Sequence, residues 1–325
     1  LTVDDLVVSF DGPLGAYRAL NGVSFEVGRG ETLAILGESG SGKSVTVRAV
    51  MALLPRHSAT IERGTIRYDG EEISALPVRR TRELSATEMA MVFQDSLTAL
   101  NPVIRVGQQI AELFRVRQHT SRRESWRRAV AGLERVGIPN AARRAHDYPH
   151  QFSGGMRQRV VIAMALALRP RLLIADEPTT ALDVTVQAQI MDLLRELREA
   201  DGMSMILITH DLGVVADVAD RVAVMYAGTV VESGPLRTVY DAPAHPYTRG
   251  LMASVPAPDR PGERLTPIEG MPPSPLATPA GCPFHPRCPV ARSACRTDRP
   301  ILRTVAAGHE AACHYAEEVM AGVDA

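Results

Sequence analysis

The chain has 325 residues, 45% hydrophobic and 22% charged, with 36 Lys+Arg against 37 Asp+Glu and a formal net charge of -1. That apolar share can bury a core, which excludes disorder over most of the chain, and the length allows one large domain or two to three smaller units. The charge balance argues against a nucleic-acid binder that works through a broad basic surface.

The longest fully apolar run is Val160 to Leu168, and a membrane-spanning helix needs about 20 residues. Leu1-Thr2-Val3-Asp4-Asp5 shows no basic start followed by an apolar run, so no secretory signal is expected. Any membrane connection is expected through a partner. Four cysteines, all after position 280, do not make a disulfide-dense secreted domain.

In chain order, Leu6 to Val8 and Val23 to Val27 read as short strands. Thr32 to Leu36 is a continuous apolar run ending at Gly37, which suits a strand buried on both faces. A helix is expected from about Lys43 to Leu54, stopped by Pro55, and Met89 to Phe93 reads as another buried strand. Between about 96 and 158 the pattern is helical. Trp126, Val130, Leu133 and Val136 form an apolar stripe, with Arg122, Arg123, Arg127 and Arg128 mostly off it on a solvated face. Then come a helix around 156–168, a strand Leu172 to Ala175, a helix 184–199, a strand Ser204 to Ile208, and strands near 221–225 and 229–232. This alternation predicts an α/β fold with a mainly parallel sheet covered on both faces. After about 241 the composition shifts, and 255–289 is rich in Pro, an extended appendage with little core of its own.

Gly37-Glu38-Ser39-Gly40-Ser41-Gly42-Lys43-Ser44 fits G-x-x-x-x-G-K-[ST] between a predicted buried strand and a predicted helix. Glycines let the backbone wrap a phosphate, Lys43 supplies a point charge, and Ser44 supplies a hydroxyl ligand for Mg²⁺. Leu172 to Ala175 leads into Asp176 and Glu177. Carboxylates at the C-terminal end of a parallel strand can hold Mg²⁺ (Asp176) and polarise an attacking water (Glu177). Ser153, Gly154 and Gly155, in Phe152-Ser153-Gly154-Gly155-Met156-Arg157-Gln158-Arg159, stand before a helix as a second anion site.

Over about residues 1–240 these motifs, in this order, resemble the ABC (ATP-binding cassette) ATPases, whose signature is usually LSGGQ. Phe152 and Met156 depart from that form, while the Ser and both Gly are kept. The resemblance implies a P-loop NTPase core at 1–95 and 159–240 with an antiparallel β subdomain, and a helical subdomain at 96–158 ending in the signature. It places Gln94 in the Q-loop, Ala181-Leu182-Asp183 in the D-loop at a dimer interface, and His210 as the switch histidine. Glu177, His210 and Gln94 are then the catalytic residues, and Ser44, Gln94 and Asp176 the Mg²⁺ ligands. Tyr17, or else Phe10, is the aromatic expected to stack on adenine. Two such subunits, packed head to tail, each cap the ATP held by the other.

The run Asp95-Ser96-Leu97-Thr98-Ala99-Leu100-Asn101-Pro102, the FSGGMRQR form of the signature and Ala244-His245-Pro246-Tyr247-Thr248-Arg249-Gly250-Leu251 are similar to the oligopeptide/dipeptide (and nickel) importer subgroup. That likeness implies a C-terminal extension at 241–325 and an ATPase powering peptide import. Import of nickel or another small solute, or a soluble non-transport ABC ATPase, are the alternatives. It further implies a second ATPase subunit, favoured as a heterodimer, two transmembrane permease subunits, an extracytoplasmic solute-binding protein, no nucleic acid, and a peripheral place on the cytoplasmic face of the cell membrane. Cys282, Cys288, Cys295 and Cys313 fall within 32 residues. Four thiolates at short spacings can close one metal site. A [4Fe–4S] cluster, expected for this subgroup, competes with structural zinc and with free thiols or disulfides; His285, His309 and His314 are possible replacement ligands.

Overall fold

All five residues of the strand Thr32–Leu36 are buried, as their uninterrupted apolar run requires. The computed structural model describes residues 1–13, 15–93, 99–180, 182–254 and 267–322. The chain divides into two compact units, Leu1–Thr81 with Thr209–Ala325, and Arg82–Ile208.

The first unit holds an antiparallel sheet ordered Gly15–Glu26, Thr2–Gly12, Ala59–Tyr68, Glu71–Glu72. Its first two strands run longer than the short apolar runs suggested, because half-exposed polar positions continue the pairing. Thr32–Leu36 also pairs in parallel with Arg221–Tyr226, which forms a hairpin with Thr229–Pro235. The helix Lys43–Val50 stops before the expected Leu54. Ala52 there takes φ 53°, which turns the chain out of the helix well ahead of Pro55.

Strands Arg303–Ala306 and His309–Ala311 extend this sheet, with Glu232 opposite Ala311 and Ser233 opposite Glu310. Sequence gives no strand signal there, since the segments are short and mixed in polarity; edge pairing supplies it. Nor is the extension a mere appendage. Tyr247 and Phe284 join Leu36, Val224 and Tyr226 in one core cluster. The rings of Tyr226, Tyr247 and Phe284 lie 4.6 to 5.3 Å apart. Each such buried ring contributes about 1.5–3 kcal/mol, so a few aromatics offset a Pro-rich composition.

In the second unit the strands run parallel, in the order Ser204–Ile208, Leu172–Asp176, Met89–Val92. Helices Gly154–Leu166 and Val184–Asp201 accompany them. Helices Val106–Gln118 and Arg122–Arg135 make up most of the helical region. Of the expected stripe, Leu133 and Val136 are buried and Trp126 and Val130 are half-buried, while Ser125 and Ala129 take the fully buried positions beside them. Ser125 tolerates burial because its hydroxyl donates to the Ser121 carbonyl at 2.8 Å and meets Thr120 Oγ1 at 2.7 Å. Trp126 is half-buried and packs on His146, with ring centroids 4.6 Å apart.

Candidate active site

The loop Gly37–Ser44 connects Thr32–Leu36 to Lys43–Val50. Gly37, Gly40 and Gly42 take φ of 148°, 82° and 104°, which glycine adopts without steric cost. A Cβ on Gly37 would run into the Met225 carbonyl oxygen, and one on Gly42 would stand 2.8 Å from Leu20 Cδ2. The Ser41 carbonyl accepts from the Gly228 N–H at 3.0 Å, which ties the loop to the turn after Tyr226.

Lys43 is 5% exposed, and its Nζ donates to the carbonyls of Gly37 (2.7 Å) and Glu38 (2.9 Å). Ser41 Oγ is buried with no hydrogen-bond partner among the described residues. The helix that starts at Lys43 has Gly42 at its N-cap, so no side chain among the described residues caps it. An uncapped helix start, a buried ammonium and an orphaned hydroxyl around one glycine loop are a donor set for a polyphosphate. The half-buried hydroxyl of Ser44 suits the oxygen preference of Mg²⁺.

In the second unit, Asp176 closes the buried strand Leu172–Asp176 and is 3% exposed. Glu177 follows with φ 47°, a left-handed conformation uncommon outside glycine and concentrated at functional sites. Its N–H donates to the Ile208 carbonyl at 2.9 Å, and Thr180 Oγ1 donates to its Oε2 at 2.9 Å. Gln94 lies outside the described residues, as do 95–98 and Ala181.

Ser153 caps the helix Gly154–Leu166, accepting from the Met156 N–H at 3.4 Å. Gly155 has a packing reason of its own, because a Cβ there would stand 2.5 Å from Val186 Cγ1. Gly154 is looser, at 3.5 Å from Leu182 Cδ2. Asp183 caps the helix Val184–Asp201 by accepting from the Val186 N–H at 2.9 Å.

Back in the first unit, His210 is exposed, just beyond Thr209, whose N–H donates to the Ile35 carbonyl at 3.4 Å. Tyr17 and Phe10 are cross-strand partners and stack at 5.8 Å. The two aromatics weighed as alternatives in sequence form one pair.

Sequence reading misses two residues at the glycine loop. Tyr247 Oη accepts from the Glu38 N–H, and Arg287 grips the Glu38 carboxylate. They lie 209 and 249 residues away along the chain, so no local pattern announces either.

The four cysteines are free thiols and line one small cavity with His245, His285 and His314. Among the described residues no group of three His, Cys, Asp or Glu is placed to hold a single metal ion. Burial pushes the Cys288 thiol up to about 12 and the Cys313 thiol to about 11, and raises Cys282 as well. His285 Nδ1 meets the Cys282 carbonyl and His314 Nε2 the Asp298 carbonyl, each at 2.9 Å. His309 is engaged with Glu232.

A family profile described as ABC transporter matches residues 20–180, and one described as oligopeptide/dipeptide transporter, C-terminal region, matches residues 231–295. The dipeptide transport ATP-binding protein DppD of Bacillus subtilis (strain 168) is 50% identical over 289 residues, 89% of this chain and 86% of its own. DppD of Escherichia coli (strain K12) is 45% identical over 315 residues, 97% of this chain and 96% of its own. The oligopeptide transport ATP-binding protein OppD of Salmonella typhimurium is 49% identical over 313 residues, 96% and 92% of the two chains. Among solved structures, an ATP-binding cassette in a dimeric post-hydrolysis state, bound to ADP and Pi, is similar at TM-score 0.64 and 29% identity, covering 73% of this chain and 98% of that one.

Proposed function

We propose, on the premise that this chain belongs to the ABC transporter ATP-binding proteins, that it is the ATP-hydrolysing subunit of an importer of dipeptides or oligopeptides. The observation that carries the ATP assignment is the glycine loop, closed around a buried Lys43 and leading into an uncapped helix. The peptide assignment rests on the relatives, dipeptide and oligopeptide transport proteins by name, and on the matched C-terminal region.

The backbone of Gly37 to Gly42 cradles the phosphates and Lys43 places its charge on the outer ones. Ser44, Asp176 and Gln94 would supply oxygen ligands to magnesium, which when bound would neutralise charge on the phosphate oxygens. Glu177 accepts the proton of the attacking water, a reading supported by its place after the strand-ending Asp176, with Thr180 Oγ1 donating to its Oε2. His210, exposed at its strand end, contacts the γ-phosphate. Tyr17, backed by Phe10, stacks on adenine. Ser153, Gly154 and Gly155 cap the nucleotide of a second subunit, and Asp183 lies at that interface. Nucleotide binding closes the pair and hydrolysis reopens it.

We assign the core to 1–95 and 159–240, the helical subdomain to 96–158 and the extension to 241–325. The second subunit is a related ATPase, giving a heterodimer. Two permeases, an extracytoplasmic binding protein and a place on the cytoplasmic face of the membrane complete the assembly. No helix among the described residues is long and apolar enough to cross a membrane.

The four cysteines are assigned to a [4Fe–4S] cluster ahead of zinc. All four cysteines line one small cavity, which is the supporting observation for one shared thiolate site. A bound cluster would cross-link the segments that carry the four thiols. Iron, zinc and sulfide analysis with an absorption spectrum of anaerobically prepared protein tests it; zinc alone, or no metal, rejects the cluster.

Reconstitution with two permeases and a binding protein tests the function. Peptide-stimulated ATP hydrolysis coupled to peptide uptake is expected. An assembly that neither retains nor cleaves ATP overturns the ATPase assignment, and uptake of nickel without peptide overturns the substrate.

A further inference from the structure

Arg287 ends the short 3-10 turn His285–Arg287, next to Cys288, in the C-terminal extension. Its side chain is only 5% exposed. A guanidinium has five N–H donors, and every one is used. Nη1 donates to Glu38 Oε2 at 2.6 Å and Tyr226 Oη at 3.4 Å. Nη2 donates to Glu38 Oε1 at 2.9 Å and the Ile268 carbonyl at 3.4 Å. Nε donates to the Glu269 carbonyl at 3.0 Å.

Glu38 is the second residue of the phosphate loop. Its N–H donates to Oη of the fully buried Tyr247 at 2.8 Å. Its carbonyl accepts from Lys43 Nζ at 2.9 Å and from the Ser41 N–H at 3.2 Å. Every polar group of Glu38 is therefore committed, two of them to the extension and one to the lysine of the loop. A two-toothed arginine grip fixes a carboxylate in direction as well as in charge.

A carboxylate in a triphosphate cradle is a liability. Uncompensated, its charge repels the phosphates over several ångströms in a partly buried setting. The bond from Glu38 to Tyr247 also settles which way the first peptide N–H of the loop points, leaving the later ones for phosphate.

We propose that Arg287 and Tyr247 are positioning residues of the ATP site. They act through Glu38, so that the C-terminal extension sets the nucleotide affinity of the loop. This rests on Gly37–Ser44 being the ATP cradle. An arginine that only anchored the extension to the core would serve stability alone, and the two roles separate experimentally.

The full-length chain is titrated with Mg²⁺ and the fluorescent analogue mant-ATP, with thermal unfolding followed in parallel. Arg287→Met strands the Glu38 charge beside the phosphates and is expected to weaken binding on the order of tenfold. Adding Glu38→Gln removes that charge, and the double variant is expected to recover to within about threefold of wild type while its melting temperature stays lowered. Tyr247→Phe is expected to weaken binding by less, about threefold. If Arg287→Met does not fold, Arg287→Lys keeps a charge without the two-toothed grip and is compared with and without Glu38→Gln in the same way. Unchanged affinity in the arginine variants, or a loss that Glu38→Gln does not restore, overturns the proposal. Wild-type protein that binds no analogue overturns the ATP assignment itself, and the proposal with it.

Discussion

Glu232 and His309 meet in the interior of the first unit, His309 Nε2 to Glu232 Oε1 at 2.7 Å, with neither side chain exposed. The same carboxylate accepts from the Ala244 N–H at 2.7 Å and the His245 N–H at 2.9 Å. One side chain on the strand Thr229–Pro235 thus fixes both the start of the helix Pro246–Ala253 and the strand His309–Ala311.

Glu232→Ala should therefore cost far more than a lost contact. It leaves two backbone donors and a buried imidazole without their acceptor, and each buried group left unsatisfied costs about 1–3 kcal/mol. A lower denaturant midpoint is expected, together with faster amide exchange at Ala244 and His245. Unchanged exchange at both would show that another group holds this helix start.

His245 gives the first unit an acid-sensitive element. Burial pulls its imidazole down to about 4, against an opposing pull from Glu232. Its Nδ1 accepts from the Tyr247 N–H at 3.1 Å, which requires the neutral ring. Unfolded, it titrates near 6.5, so between these values the unfolded chain binds more protons. Stability is full above about pH 6.5 and falls as pH drops toward 4, by roughly 3 kcal/mol. Denaturation midpoints at pH 7.5, 5.5 and 4.5 measure it. His245→Asn should flatten the decline, and an equally steep decline in that variant would place the titrating group elsewhere.

Glu177→Gln should lower ATP turnover by roughly 10²–10⁴ while leaving nucleotide binding largely intact, as expected of a group that accepts a proton only during reaction. Single-turnover phosphate release beside a binding titration separates the two. An unchanged rate would remove Glu177 from its assigned role.

The shape of the glycine loop Gly37–Ser44 and the strand end at Asp176 are legible because each is a contiguous run whose backbone is set locally. The lines that sequence missed depend on contacts far along the chain. Arg287 reaches Glu38 across 249 residues, and the strands Arg303–Ala306 and His309–Ala311 exist by pairing onto an edge rather than by their own pattern. In the stripe of Arg122–Arg135, Leu133 and Val136 are buried as expected, whereas Ser125 and Ala129 rather than Trp126 and Val130 are fully buried, because Ser125 looks polar in sequence while its satisfied hydroxyl lets it face inward. For Gly155 the motif points to phosphate contact, while the packed helix adds a reason that sequence does not carry, Val186 against it.

That double duty is testable. Gly155→Ala forces a methyl to within 2.5 Å of Val186 Cγ1, and a β-branched neighbour cannot swing aside cheaply. Overpacking of this kind costs about 1–3 kcal/mol. Val186→Ala added to Gly155→Ala should restore the melting temperature. If Gly155 serves packing only, ATP turnover in the assembled transporter returns as well. If its backbone also meets the partner's nucleotide, stability returns while turnover stays low.

The thiol cavity makes a prediction about reactivity. At pH 8 a group titrating at about 12 is thiolate in about one part in 10⁴ and one at about 11 in about one part in 10³, against roughly a quarter for an ordinary free cysteine. In metal-free folded protein, Cys288 and Cys313 should therefore react with a disulfide reagent at least about tenfold more slowly than free cysteine, after allowing for the higher intrinsic nucleophilicity of a high-pKa thiolate and before access is considered. Denaturant should release them to the ordinary rate. Iron or zinc takes thiolate, so loading must expel protons from these groups and should tighten as pH rises. Proton release measured in weak buffer on adding metal reports this directly. Labelling of Cys288 and Cys313 at the free-cysteine rate at pH 8 would show that these two thiols are not held protonated in a buried cavity, and the metal assignment would lose its physical basis.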